Sequence, residues 1–359
     1  MTFIVRRPRR CRLRRAAWLV LACGLLVWNA PTRAQPNGTS ALATYLGADR
    51  ERLLIDGAKQ EGELTLYSSM QVDSIIPLQK AFEAKYGVKI RIWRGSGKDI
   101  LQRVVTEAAA NRYDVDIMES DSFALEALYR ESLLQTVKSP YLADLIPEAL
   151  RPQGQWVGTR VNIVAGVYNT KLVKKENLPK SYEDLRAPAF RGMLGMEADD
   201  YDWFGMVVGL MGEEKGLKLF RDIIAANGMS VRKGHTLLTN LAAAGEVPIG
   251  LTVFMQNADV ARKAGAPVDW FLLPPTVARP DGMGMAKRAP HPHAALLFYD
   301  FMLSDGQQIM LGREFVPTSR KISSVLSGLT LNFVSPDLVL DQGEKWQKLY
   351  ADILRSGGR

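Results

Sequence analysis

The chain has 359 residues, 47% of them hydrophobic and 23% charged, with a formal net charge of +8. That length accommodates two sizeable cores, and the composition excludes collagenous, coiled-coil and wholly disordered classes. The charge does not point to nucleic acid. Arg6, Arg7, Arg9, Arg10, Arg12, Arg14, Arg15 and Arg33 all precede residue 35, and without these eight arginines 38 Lys and Arg face 38 Asp and Glu. No basic footprint for phosphate is left.

The same arginines open an export signal. A cationic segment ends at Arg15, and an apolar run of about 13 residues follows to Trp28. Thr32-Arg33-Ala34 carries small residues at the −3 and −1 positions, which predicts cleavage after Ala34. A membrane anchor is the alternative, but the run is short for a span of ~20 residues. Cys11 and Cys23 both lie in this segment. The mature chain is therefore expected to lack disulfides, thiolate metal sites and cysteine nucleophiles, which suits the periplasm.

From there strands and helices alternate. Residues 42–60 read as a leading helix, 64–67 as a strand, and 75–86 as a helix ended by Gly87. Residues 88–93 alternate as a strand, and 99–112 are helical. This is a βαβ unit, so its strands are expected to be parallel, with the loops 68–71 and 94–98 at their carboxyl ends, where ligands of open α/β sheets bind. Residues 114–118 read as a third strand, 119–122 as a polar turn and 123–131 as a helix. A long strand over 156–168 connects one lobe to another. Strands at 192–196, 229–232 and 247–253 alternate with helices at 203–211, 217–227, 237–244 and 258–263. Residues 269–273 read as a returning strand, 274–284 as a Pro/Gly-rich connection, and 292–303 and 305–311 as helices. The expectation is an α/β, two-lobed protein with a hinge and an interlobe cleft. Residues 1–34 form the signal peptide, 62–162 plus 272–320 lobe one, and 163–271 plus 321–359 lobe two. Clefts of this kind take small ligands and close around them.

Catalytic signatures are absent: there is no Walker loop, GxGxxG, HExxH or nucleophile elbow. His291-Pro292-His293 reads as part of a metal site or as a cap on the helix after Pro292, and a pair without nearby ligands favours the cap. What recurs is a small polar group where a strand or turn enters a helix: Ser68-Ser69, Ser96-Gly97-Lys98, Ser120-Asp121-Ser122 and Gly234-His235-Thr236. Free N–H groups and the helix dipole favour anions there, although each group alone is explained as an N-cap. Four of them, with Lys98, Arg160 and Arg232 nearby, outline an anion-tolerant cleft. Tyr201, Trp203 and Phe254 are candidate apolar walls or core residues.

Several segments resemble the periplasmic solute-binding proteins of ABC importers (extracellular solute-binding family 1), specifically the group that includes the ferric-ion-binding proteins. They are Leu64-Thr65-Leu66-Tyr67-Ser68-Ser69, the run from Phe82 to Ile90, Tyr113-Asp114-Val115-Asp116-Ile117, Val167-Tyr168-Asn169-Thr170, the run from Ala244 to Ile249 and the run from Phe298 to Ser304. The resemblance implies a type II periplasmic-binding fold, a binding role without catalysis or cofactor, and delivery of a small-molecule solute by a monomer to an inner-membrane permease. Iron-binding relatives use two adjacent tyrosines after the strand matching residues 250–253, where Met255 and Gln256 stand here. Their first-loop histidine matches Gln71, and their acidic ligand is retained near Asp121. Met and Gln supply no anionic oxygen for ferric ion. The expected ligand is therefore a small organic anion: a phosphonate, sugar phosphate or carboxylate. Ser68, Ser69, Gln71, Ser96, Gly97, Lys98, Asp121, Ser122 and Arg160 would contact it from one side, and Tyr201, Trp203, Arg232, His235, Thr236, Phe254 and Gln256 from the other. Two alternatives stand beside this: ferric iron held by Asp121, Tyr201 and a synergistic anion, and a ligand-loaded subunit for a membrane sensor.

Overall fold

A computed structural model describes residues 38–356. The export signal, its cleavage point and both cysteines lie outside the described residues. The leading helix is two: α1 (Thr39–Ala43) and α2 (Arg50–Glu61). The break lets Arg50 turn inward, where it donates to the Tyr45 carbonyl and to Asp300.

β1 (Glu63–Ser68), α3 (Val72–Tyr86) and β2 (Lys89–Arg94) form the expected βαβ unit, with β1 and β2 parallel from Glu63↔Lys89 to Ser68↔Arg94. α4 (Gly97–Ala109) follows. The next strand differs from expectation. β3 is Ile117–Asp121, and α5 (Ser122–Arg130) starts directly after it. Glu119, Ser120 and Asp121, read as a turn, are strand residues, and Ser122 already belongs to α5; buried partners are what allow Glu119 a place in the strand. Glu119 is 1% exposed and accepts from the Ser68 hydroxyl and from Arg160. β4 (Leu134–Gln135) closes this half.

β5 (Trp156–Asn169) is the predicted connection. Its residues 156–163 pair with β10 and its residues 164–169 with β8 and β9. Beyond it come β6 (Leu194–Glu197), α6 (Tyr201–Met211), α7 (Glu213–Asn227), β7 (Ser230–Arg232), α8 (His235–Ala244), β8 (Ile249–Phe254), α9 (Met255–Lys263) and β9 (Val268–Phe271). β9 pairs with the second half of β5 and does not return the chain. The return is made by β10 (Val277–Ala286), in the stretch read as a Pro/Gly-rich connection, which pairs antiparallel with both β3 and β5. Its glycines serve close approach, not a turn. The ladder shifts register between Asp281 and Gly282, and a Cβ on Gly282 would stand 1.9 Å from the Val157 carbonyl oxygen. α10 (Pro292–Leu303), α11 (Asp305–Leu311), β11 (Val316–Pro317), β12 (Asn332–Phe333) and α12 (Pro336–Ser356) complete the chain.

The central strand order is β2-β1-β3-β10-β5-β8-β6-β7. Two separate cores flank it. One gathers Leu64, Leu66, Phe82, Phe298 and Phe301 between α2, α3, α10 and the first strands, with Phe82 edge-on to Phe298 at 5.3 Å. The other gathers Trp203, Phe204, Phe220, Trp346 and Tyr350 between α6, α7 and α12. β5 contributes Trp156 and Val157 to the first and Val164 and Tyr168 to the second. Among the described residues no helix is long and apolar enough to cross a membrane.

Candidate functional site

Helices α4, α5 and α6 begin around one cavity of about 370 Å³. Gly97, Lys98 and Leu101 of α4 line it, with Asp121, Phe123 and Ala124 at the β3–α5 junction. Asp199, Tyr201 and Asp202 face them from the start of α6, Arg279 enters from β10, and Leu340 from α12.

The α4–α5 side is built from satisfied caps. Ser96 accepts from the Asp99 backbone N–H, and Asp99 accepts from the Ser96 backbone N–H at 2.9 Å, which forms a capping box. Asp121 caps α5, its Oδ1 accepting from the Phe123 and Ala124 amides at 3.1 and 2.9 Å. Gly97 is required where it stands, since a Cβ there would lie 1.7 Å from Asp121 Oδ2. Behind this wall Ser68, Glu119, Arg160 and Asp281 form a buried chain, which Asn162 extends by donating to Asp281 at 2.7 Å. Burial pushes the Asp281 carboxyl up to about 6, and the nearby Asp121 charge adds to this, while Arg160 opposes it.

The α6 side is acidic and crowded. Asp200 precedes α6 without a side-chain cap bond. It is 2% exposed, and among the described residues its Oδ2 has no hydrogen-bond partner. Burial pushes its pKa up to about 7, against the pull of Arg279. Burial raises Glu197 as well, and Asp200 adds to the effect. Glu197 accepts from the Gly234 amide at 2.8 Å. His235 stands between Asp200 (3.5 Å) and the Phe254 ring (4.1 Å between centroids), and burial lowers its pKa to about 4. Arg279 organises this side. It donates to Asp202 at 2.5 Å, lies 3.9 Å from Asp200, and sits 4.7 Å from the Phe254 centroid and 5.9 Å from that of Phe123. Burial opposes its charge, but Asp202 and Asp200 hold it protonated and raise its pKa.

Of the residues expected at the ligand, the cavity brings together Gly97, Lys98, Asp121 and Tyr201. Ser69, half-buried, donates its amide to the Glu119 carbonyl at 3.0 Å; Gln71 and Ser96 are exposed at the N-cap positions of α3 and α4 and are not among the lining residues. Ser68 and Ser122 are wholly buried, and Arg160 is 3% exposed and held by Glu119 and Asp281. These three support the wall and do not line the space. Trp203 is 1% exposed and packs on Phe220 at 5.7 Å, so it is core. Arg232 is exposed and donates to its own neighbour's carbonyl. His235 lies against Asp200 and Phe254 against Arg279 without lining the cavity, while exposed Thr236 accepts from Asn257, and Gln256 lies in the first turn of α9 outside the cavity. His291 and His293 pair with separate carboxylates, Asp116 and Glu61, at the start of α10; the expected histidine cap is not made, since the His291 side chain forms no cap hydrogen bond and Glu61 accepts the Ala294 amide at 2.8 Å instead. The sequence did not point to Leu101, Phe123, Ala124, Asp199, Asp202, Arg279 or Leu340 as lining residues. For Arg279 a signal existed: Arg279 and Asp281 occupy alternate positions, as on one strand face. Among the described residues no group of three or more His, Cys, Asp or Glu is placed to hold a metal ion.

The profile of the family described as bacterial extracellular solute-binding protein matches residues 115–337. "Iron uptake protein A1" of Synechocystis is 26% identical over 309 residues, covering 82% of this chain and 84% of its own. Among solved structures, iron-bound HitA from Pseudomonas aeruginosa superposes with a TM-score of 0.70 at 22% identity, over 81% of this chain and 99% of its own. AfuA from Actinobacillus pleuropneumoniae, bound to fructose-6-phosphate, gives a TM-score of 0.70 at 21% identity, over 82% and 99%. The expected fold is thereby borne out: α/β, of the two-lobed type II periplasmic-binding class.

Proposed function

Because the chain belongs to the bacterial extracellular solute-binding protein family, we propose that it is the solute-capturing subunit of an ABC importer, a non-catalytic periplasmic monomer that delivers its ligand to a membrane permease. The ligand is a small organic anion bearing hydroxyl groups, such as a sugar phosphate or hydroxycarboxylate. One observation carries this reading: three helix N-termini, Lys98 and Arg279 converge on a single cavity. Helix N-termini and cations favour an anionic head there. Asp121, Asp199 and Asp202 line the same space. They repel a bare polyanion but accept hydrogen bonds from hydroxyls. Leu101, Phe123 and Leu340 offer an apolar surface for a carbon skeleton.

Native mass spectrometry of protein purified from the periplasm without refolding tests this reading. An organic adduct that Lys98→Glu abolishes supports it, and an adduct retained undiminished in that variant rules out this cavity. A second reading, ferric iron with a synergistic anion, is favoured by Asp121, Asp199 and Tyr201 presenting oxygen ligands to the same cavity. It predicts a visible charge-transfer colour on loading with ferric citrate, and Tyr201→Phe removes that colour.

A further inference from the structure

We infer that α12 is a clasp across the cleft, and that Arg151 and Asp337 are positioning residues that hold the cleft closed although neither lines it. The inference rests on the reading of the cavity as the solute site. It starts from the two ends of the helix.

The carboxyl-terminal two-thirds of α12 belong to the second core. Trp346, Tyr350, Ile353 and Leu354 are buried there. The Tyr350 ring lies 5.1 Å from that of Phe204, and its hydroxyl donates to the Glu197 carbonyl. The first two turns of α12 touch both halves: Val339 is buried in the second core, while Asp337 and Asp341 meet residues of the other half. Asp341 meets Arg130 of α5 at 2.6 Å, and Asp337 meets the same guanidinium at 3.4 Å. Asp337 also meets Arg151 at 2.6 Å. Arg151 in turn reaches Glu126 at 3.1 Å. Glu126 is 1% exposed and accepts from Trp156 Nε1 at 2.9 Å, and Trp156 is in the first core. A continuous polar relay therefore runs from the first core, through Glu126, Arg151 and Asp337, to a helix fixed in the second.

Leu340 stands between the two aspartates in sequence and lines the cavity, as Phe123 and Ala124 of α5 do. Opening the cleft separates α12 from α5 and so parts the groups that the relay joins. The design is reversible because the partners differ in burial. Asp337 is 45% exposed in its side chain and returns to water at small cost, whereas Glu126 keeps Arg151 and its charge stays paired. The clasp biases closure without locking it, as a binding protein that must release its cargo requires.

Asp337→Asn keeps the side chain's shape and removes the charge. Amide hydrogen exchange on the apo protein should then rise about five-fold at residues 336–341 and 122–125, the size expected for one partly exposed charge-assisted pair. Exchange at residues 346–354 should stay unchanged, and Asp337→Glu should restore the original rates. Unchanged exchange at 336–341, or an equal rise at 346–354, would overturn the clasp. In parallel, D-fructose 6-phosphate and citrate serve as probes followed by tryptophan fluorescence. Release of whichever binds should quicken about five-fold in Asp337→Asn with the association rate constant unaltered. An unaltered release rate also overturns the clasp. If neither probe binds while the exchange change persists, the solute reading fails and the clasp stands.

Discussion

The two walls of the cleft handle charge in opposite ways. On the α4–α5 wall, Ser96, Asp99 and Asp121 are spent on helix caps, each with short bonds to its own helix. Those caps are complete before any ligand arrives, and Lys98 is the cation that this wall presents to the cavity. On the α6 wall, Glu197, Asp200 and Asp202 crowd around Arg279 and His235, an Asp200 oxygen has no partner among the described residues, and burial displaces the pKa values in both directions. The difference teaches where a solute's charge has leverage. A new charge or hydroxyl changes little at a cap that is already satisfied, and much where groups compete for one guanidinium.

The largest test of this contrast is Arg279→Met. It strands Asp202 and Asp200 in the α6 wall, and unfolding in urea at pH 8 should show a loss of about 3 kcal/mol. The loss should shrink at pH 5, where Asp200 is protonated. An equal loss at both pH values would mean that Asp200 does not depend on Arg279. Asp200→Asn comes next. The folded-state pKa of Asp200, about 7, lies above its ordinary 3.8. Its contribution is therefore fully present below about pH 4 and is lost as pH rises through 7. His235, lowered to about 4, works the other way between 4 and 6.5, so the clean window is pH 6.5 to 8. Across that window the wild type should lose about 1 kcal/mol relative to the Asn variant. A flat difference would sink the assignment.

On the α4–α5 wall, Ser96→Ala should cost about 1 kcal/mol of stability through the lost capping box, with no dependence on pH above 5. A strong pH dependence would show that this cap is not complete after all. The smallest effect is expected for Arg232→Ala. Its side chain is exposed and, among the described residues, bonds only to the neighbouring carbonyl, so stability should stay within about 0.5 kcal/mol of wild type. Solute affinity should not move, and a weakened affinity would extend the α6 wall to β7.

The sequence alone determined the local elements and much of their order. Hydrophobic periodicity placed the βαβ unit, the crossing strand β5 and most helices of both halves, and Gly87 ends α3 in left-handed geometry as expected, as Gly62 and Gly245 do for α2 and α8. It also brought Gly97, Lys98, Asp121 and Tyr201 into view, since small polar residues before an apolar helix are a local signal. Only the tertiary structure decided what the polar residues inside strands do. Glu119 and Asp281 looked like turn residues because their partner, Arg160, is 41 and 121 positions away from them. Arg279 meets Asp202 across 77 positions. Periodicity reports which face of an element is apolar. It carries no information about which distant charge will stand beside a buried carboxylate, and in this cleft those long-range pairings set the burial, the displaced pKa values and the sign of the charge that a ligand meets.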